Sequence, residues 1–525
     1  MSRIRKLVVP FALALAVSAT SPARAAATAS GWDGGGLSWT TQPVAAGVTV
    51  STGVLAGQSA PNWAVTIDAP ATNSLTGQPT VAELGTAQWA QATAAALTAA
   101  GYQPRQDVID WPEFADTPQG VEGVRVRTGT YATQADALTA VAALKAAGFA
   151  TAAAEWTGYD ADQTVDAERV HVAVIDPTAF HGEVASTHDG TIARREKVST
   201  MAANTGALVA VNGGFFVTSD ADGYQGAPSA LGVYDQRLES QSVDARAALV
   251  LGRHGDARIE NLTSTVTLRA AGAAHPVEGI NRKPGLLRDC GRPGVSPTER
   301  PRQDFTCTST DELVLFTAAF GADLPTGGGA QAVLDASGTV LSIGARDGGA
   351  VPDGGSVVQG IGASADWLTA HVHPGARLLL DDQVRDTASG ARVDVHAGDG
   401  IVSAAPVLLR GGHLAIDADT EGVIDVHDLS FGYAWAEQRQ PRTMAGIDGL
   451  GRLLLVTVDG RQPGVSEGVT LQEGARLMQS LGAVDAMNLD GGGSTAMVVD
   501  GLLVNHPSDS TGERADGDAV VVLPR

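Results

Sequence analysis

Residues 486 to 501 read AMNLDGGGSTAMVVDG. An apolar run delivers Asn488 and Asp490 to three consecutive glycines and a Ser-Thr pair, and a second apolar run closes on Asp500-Gly501. A carboxylate at a strand end can serve as a base or a nucleophile. Gly491, Gly492 and Gly493 carry no Cβ, so their amide N–H groups can converge into a nest for an anion, phosphate foremost. The Ser494 hydroxyl adds a donor. Asp500-Gly501, between AMVV and LLVN, reads as a two-residue hairpin turn and is assigned no chemistry. Three other stretches carry residues of the same kind. VAVNGGFF (209 to 216) ends a strand in Asn212, Gly213 and Phe215. An Asn amide can bond a sugar hydroxyl or acetamide and a phenyl ring can stack on a pyranose, but a tight turn with two core phenylalanines accounts for the stretch equally well. RQPRTMAGIDGLGRLLLVTVDGRQ puts Arg442 and Thr443 before one strand and Asp459 at the end of the next. Arg442 can fork a phosphate through two parallel bonds; standing alone it also reads as a surface ion pair. VNHPSDSTGER contributes Asn505, His506, Asp509 and Arg514 from a loop between strands.

The elements that must position these residues are short. From about Arg169 onward the chain alternates β-rich runs (VHVAVID, AALVLGR, DELVLFTAAFG, IVSAAPVLLR, RLLLVTVDG) with Gly, Asp and Pro, which predicts a mostly antiparallel or mixed sheet core with few helices. One helix is well marked: in VTLQEGARLMQSLGA, Thr470 and Glu473 form a capping box, Leu471, Ala475, Met478 and Leu481 share a face, and Gly482 closes it. VDAMNL then runs as a strand into the glycines. Upstream, residues 87 to 104 and 133 to 151 read as Ala-rich helices ending at Gly101 and Gly148, 47 positions apart as in a duplicated unit. Strand candidates at 63–68, 121–129 and 150–156 complete a small β-α-β-β-α-β sandwich. GWDGGGLSWT opens a Gly-rich lead-in, and residues 26–61 are expected to be a linker.

The 525 residues suffice for two or three domains, and 44% hydrophobic with 18% charged residues is a globular composition. A net charge of -23 repels nucleic acid and anionic membrane, so neither is expected as a partner. MSRIRKLVVPFALALAVSATSPARA has a cationic start, a short apolar stretch and small residues at Ala23 and Ala25, the pattern of an export signal cleaved near residue 25. No later stretch is apolar for long enough to span a bilayer. In an exported protein Cys290 and Cys307, 17 positions apart, could form a disulfide, although two free thiols fit the same sequence. No EF-hand spacing occurs. His371-x-His373, alternating on a strand, could hold a metal or lie on a solvated face, so a divalent cation stays open and no cofactor is required.

VRVRTGTYATQADALTAVAALKAAGF, residues 124 to 149, resembles the second half of a SPOR (sporulation-related repeat) domain, with its strand, G-T-Y turn, Ala-rich helix and closing G-F. The resemblance implies that residues 62–158 bind peptidoglycan glycan strands. VNGGFF, PRTMAGID, LLLVTVDGR, GVTLQEGARLMQSLGAVDAMNLDGGGSTAM and NHPSDSTGER resemble, in order and wording, the phosphodiester glycosidase family, loosely over 170–525 and closely over 435–515. It implies an α+β or α/β domain with its site where strand-end loops meet, and hydrolysis of a sugar-1-phosphodiester at the anomeric C–O bond. It also implies that Cys290 and Cys307 pair as in exported relatives. On that reading Arg442, the Gly491 to Gly493 amides, Ser494 and Arg514 hold the phosphate. Asn212 and Phe215 hold the sugar, Gly213, Thr443 and Asn505 are further substrate-binding residues, and Asp490 and Asp459 are the carboxylate pair. Which aspartate is acid, base or nucleophile stays open, as does the retaining or inverting outcome. A metal-dependent phosphodiesterase and a non-catalytic wall-binding protein are the competing readings. The expected place of action is extracellular, possibly at the cell wall.

Overall fold

The computed structural model describes residues 32–57, 62–252, 256–270 and 272–525. The expected export signal, residues 1–25, lies outside them. The β-α-β-β-α-β order is present: strand Trp63–Ile67, helix Ala87–Ala99, strands Pro104–Asp110 and Val121–Tyr131, helix Gln134–Ala146 and strand Ala152–Trp156. Thr86 and Thr133 cap the helices by accepting from the N–H of Trp89 and Asp136, both at 3.2 Å. Gly101 and Gly148 follow them at φ +88° and +102°, conformations that a Cβ would strain. The helices bury Ala90, Leu97, Val141 and Leu144 against Val65, Ile67, Val124 and Val126 of the sheet.

On strand Val121–Tyr131 the side chains alternate, so Arg125 and Arg127 point away from those helices. Both are 1% exposed. Arg125 meets Asp160 (3.0 Å) and Asp162 (3.2 Å); Arg127 meets Asp160, and Glu155 at 2.9 Å. Segment 425–440 of the larger unit closes over this face: Ser74 bonds Asp425 and Asp428, and Gln438 bonds Glu83. Burial, with Glu437 close by, holds the Glu122 carboxyl far above its usual range. Arg439 bolts the units together, donating to the carbonyls of Gly158 and Gln163 and to Glu473. Glu473 belongs to the predicted capping box, which is formed: Thr470 Oγ1 accepts from Glu473 N at 3.0 Å and Glu473 Oε2 from Thr470 N at 3.1 Å.

Two antiparallel sheets of the larger unit position the site. One has eight strands in the order Ser38–Ala45, Val48–Leu55, Glu168–Ile175, Leu453–Val458, Arg442–Asp448, Ala483–Asn488, Val407–Arg410, His413–Leu414. The other runs Glu183–Thr187, Ala519–Leu523, Val209–Asn212, Met497–Val499, Leu502–Leu503. They share one core, in which Val172 and Val456 meet Val209, Val211 and Val520. Burying each such side chain contributes about 1.5–3 kcal/mol. Among the described strands Gly279–Ile280 with Glu312–Thr317 is a parallel pair, and the other ladders are antiparallel. The fold class is therefore α+β, sheet-rich.

Two expectations need correction. Residues 38–55, read as linker, form a hairpin that adds two strands to the eight-stranded sheet, with Val48 opposite Ile175 and Leu55 opposite Glu168. The period-2 valines of VTVSTGVL bury Val48 and Val50 in the shared core, a signal masked by the Gly, Ser and Thr around them. His371 ends the helix Ala363–His371 and stacks on Trp367 at 5.1 Å, so His371 and His373 do not alternate on a strand.

Candidate functional site

Strands Leu453–Val458 and Ala483–Asn488 both pair antiparallel with Arg442–Asp448 between them, so they run in the same direction. Their C-terminal ends, carrying Asp459 and Asp490, emerge at one edge of the sheet about 10 Å apart, two strand spacings. Strand Val209–Asn212 of the second sheet ends against the same edge. Asn212 Nδ2 donates to Asp490 O at 2.8 Å, and Asp490 N to Gly213 O at 3.0 Å. Asn212 Oδ1 accepts from Thr443 Oγ1 at 2.6 Å and from Ala496 N at 3.1 Å.

Above this seam lies a cleft of about 600 Å³. Asp490 and the three glycines form its floor, Phe215, Phe216 and Trp435 line it, and Arg461 and Arg514 reach over the glycines. The Phe215 and Trp435 rings meet edge to face at 6.1 Å. A Cβ on Gly493 would lie 2.1 Å from Arg514 Nη2 and 2.2 Å from Asp509 Oδ1, and one on Gly492, at φ +59°, 3.3 Å from both terminal nitrogens of Arg461. The glycines thus let two guanidinium groups descend onto the turn. Arg514 is held by Asp509 at 2.8 and 3.0 Å. Arg461 Nε is anchored on Gln440 Oε1 at 2.6 Å, while its Nη1 and Nη2 donate to no protein group among the described residues. Two forked cations in a cleft, one with free donors, suit a phosphate.

Asp490 has a carboxylate neighbour other than the one expected. Burial pushes Asp490 up to about 7, against the Ser494 hydroxyl and the Gly491 amide, which favour its ionised form. Asp516, 1% exposed, is raised well above the usual carboxylate range by burial and then by the charge of Asp490. The Ser494 hydroxyl pulls Asp516 the other way, towards its ionised form. The charge of Asp304, which also lines the cleft, adds to the upward push on Asp490.

Several expected site residues serve the scaffold instead. Arg442 is buried beneath Trp435, 4.5 Å from its ring, and donates to the backbone carbonyls of Val469 (3.0 Å) and Trp435. Burial lowers its pKa to about 9, and the proximity of Arg461 adds to this, yet it remains a cation at neutral pH. It supports the aromatic wall and does not line the cleft. Asp459, 1% exposed, accepts from His506 N at 3.0 Å and lies 4.0 Å from His171 Nε2. Burial raises it to about 6 and lowers His171 to about 4. It too is walled off from the cleft. Asn212, Gly213 and Thr443 use their polar groups on the Asp490 turn, and Asn505 bonds Met497 N (2.7 Å) and Thr495 O (2.9 Å). The nest of three amides is not assembled either: Gly491 N donates to Asp490 Oδ1 and Gly492 N to Pro441 O, each at 2.9 Å. Phe215, Asp490, Gly491 to Gly493 and Arg514 do come together at the cleft, with Ser494 just beneath it. Arg461 and Trp435 join them without having been singled out, and Asp516 is buried behind the lining. Arg461 follows Asp459 by two positions in the same VDGR turn, and Asp516 stands in DGD before the last strand. Cys290 and Cys307 form a disulfide that ties strand Leu286–Cys290 to Pro301–Thr308. Among the described residues, no three His, Cys, Asp or Glu side chains gather into a metal-ligand set.

Comparison with known proteins bears on this cleft. The family model described as phosphodiester glycosidase matches residues 328–523, and the SPOR domain model matches residues 80–154. N-acetylglucosamine-1-phosphodiester alpha-N-acetylglucosaminidase of Bos taurus is 43% identical over 68 residues, 13% of this chain and 12% of that protein. The chain spans between 12% and 21% of the length of the curated relatives it matches. The crystal structure of a Burkholderia pseudomallei K96243 protein described as exported is similar at 33% identity and a TM-score of 0.79, over 93% of this chain and 97% of that one. A hypothetical protein from Synechocystis, 16% identical with a TM-score of 0.53 over 93% of this chain and 76% of its own, shares the fold.

Proposed function

We propose, from the match of residues 328–523 to the phosphodiester glycosidase family and of residues 80–154 to the SPOR domain, that the chain hydrolyses a sugar-1-phosphodiester, N-acetylglucosamine-1-phosphodiester-like, at the anomeric C–O bond. The observation that carries this reading is Asp490 lining a cleft together with two arginines, Arg461 and Arg514. Arg461 and Arg514 hold the phosphate, and their fixed charges stabilise the negative charge that grows on the departing oxygen. Phe215, Phe216 and Trp435 offer aromatic faces to the sugar ring. Ionised Asp490 either takes a proton from water as it attacks the anomeric carbon or attacks that carbon itself. Water provides OH to the sugar, the C–O electron pair leaves with the phosphate, and the products are a reducing sugar and a phosphomonoester. Phosphate leaves readily, so restraint of its charge matters more than acid assistance.

The protein acts outside the cell on a cell-wall or extracellular polysaccharide, with residues 1–25 as its export signal, 62–158 as the wall-binding unit and 170–525 as the catalytic unit, to which strands 38–55 belong. The SPOR domain supports a peptidoglycan partner. Hydrolysis in oxygen-18 water tests the bond assignment. The label is expected on C1 of the released sugar; label on the phosphate instead would mean phosphorus–oxygen cleavage and sink the proposal.

A further inference from the structure

Arg461 faces a second hollow. About 440 Å³ in volume, it lies on the seam between the two units and is lined by Trp63, Trp156 and Tyr159 from one side and Gln438, Gln440 and Pro463 from the other. Arg461 lines both this hollow and the cleft above Asp490. The two Trp rings lie 5.6 Å apart at 59°, with Trp63 opposite Trp156 in the sheet ladder. Trp63 and Tyr159 keep part of their surface open, whereas Trp156 backs the wall at 7% exposed. Glu155 also borders the hollow, but its charge is committed to Arg127 and Thr66. The face of the N-terminal sheet that carries Arg125 and Arg127 is covered by segment 425–440, so at this hollow the N-terminal unit instead offers open aromatic surface beside the cleft.

Aromatic faces and side-chain amides beside an anion-binding guanidinium form a subsite for uncharged sugar rings. The C–H faces of a pyranose cover Trp63 and Tyr159, and amides both donate to and accept from hydroxyls. From its side of Arg461, the Asp490 cleft takes the sugar whose anomeric bond breaks. Beyond the phosphate, on the other side of Arg461, lies whatever alcohol is esterified to it. We infer that the Trp63–Tyr159 hollow is the subsite for that alcohol, that the alcohol is a chain of neutral pyranoses, and that the N-terminal unit therefore acts as part of the substrate site. This rests on the reaction proposed above and adds to it the class of leaving group.

The test uses the full chain and two esters of N-acetylglucosamine-1-phosphate, one with methanol and one with a soluble tetrasaccharide of β-linked N-acetylglucosamine. Wild-type kcat/KM is expected to favour the tetrasaccharide ester at least tenfold. Trp63→Ala should erase most of that ratio and Trp63→Phe should keep it. Gln134→Trp, at an exposed position on the rim, should block the hollow and erase the ratio even if Trp63→Ala fails to fold. A wild type without preference, or a ratio unmoved by both Trp63→Ala and Gln134→Trp, overturns the inference. If neither ester is turned over, the reaction itself is wrong. The hollow is then judged by quenching of tryptophan fluorescence with the free tetrasaccharide: affinity that falls at least tenfold in Gln134→Trp upholds it, and absent or unchanged binding overturns it.

Discussion

Replacing Asp490 by Asn should cut turnover by orders of magnitude and strengthen the fold, with a pH dependence fixed by the cleft. The residue is moved from 3.8 to about 7, roughly three units, and burial is the main cause. At about 1.36 kcal/mol per unit, the cleft destabilises the ionised side chain by up to about 4 kcal/mol. The sign follows from proton binding. Between pH 4 and 7 the folded protein keeps a proton that the unfolded chain has lost, so the wild type loses stability as pH rises through that window. Below about pH 4 both states hold the proton and the residue costs nothing. Asn carries no titrating group, while its Oδ1 can still accept from Gly491 N. Relative to wild type, the variant should gain nothing below about pH 4, an increasing margin from pH 4 to 7, and up to about 4 kcal/mol above pH 7. Urea unfolding at a series of pH values measures this. Activity should move the other way: general acid–base catalysis contributes about 10²–10⁴-fold, so kcat/KM should fall by about that factor. The wild-type rate should drop about tenfold per pH unit below 7 as the ionised fraction declines. A stability difference flat from pH 4 to 8, or an acid limb centred near pH 4, would refute the assignment of Asp490 as a buried ionisable base.

Arg461→Ala removes the cation with free donors and should lower kcat/KM about 10²–10³-fold, the usual cost of losing one oxyanion donor, with little change in melting temperature. Arg442→Ala leaves the Val469 and Trp435 carbonyls without their donor and should instead destabilise by about 2–5 kcal/mol. An equal catalytic loss with unchanged stability in Arg442→Ala would show that the buried arginine reaches the phosphate after all. Opening the Cys290–Cys307 loop with paired Ala substitutions should cost about 3 kcal/mol in denaturant unfolding, as expected for a loop of this length. No loss of stability would mean that the two strands hold the loop closed without the bond.

The N-terminal unit was legible because its signals are local. Thr caps, Ala-rich helices and Gly101 and Gly148 each act within one turn of chain, and all are present. The helix after Thr470 was legible for the same reason. The strand edge that gathers Asp490, Asp459 and Arg442 could also be read, since it follows from strand direction. Which side chains face the cleft could not. Arg442 and Asp459 leave their strand ends inward, and the difference between a clamp and a buried support depends on partners outside their own strands, Trp435 and Val469 for Arg442 and His171 for Asp459. Arg461 stands at φ +58°, a backbone state unusual for a residue with a Cβ. That state turns it out of the strand line over Gly492, and spacing along the chain carries no sign of it. The lead-in was misread because a hairpin that pairs at residues 168–175 betrays itself only through alternate valines.

The three glycines now have a physical reason different from a nest of amides. With Gly491 N already turned back to Asp490 and Gly492 N to Pro441, the turn offers little of its own polarity to an anion. What it offers is the absence of Cβ atoms where Arg514, Asp509 and Arg461 approach. Positive charge brought that close offsets part of the cost of the buried Asp490 carboxyl, although not all of it, because Asp490 remains raised to about 7 with Arg514 nearby. Binding of a phosphate would shift the balance. An anion drawn to Arg461 and Arg514 takes up the positive charge that favours ionised Asp490, so Asp490 should hold its proton more tightly in the complex than in the free protein. On the proposed reaction, occupancy of the cleft by phosphate would be coupled to the proton inventory of Asp490, and a departing phosphate would return Arg514 to it.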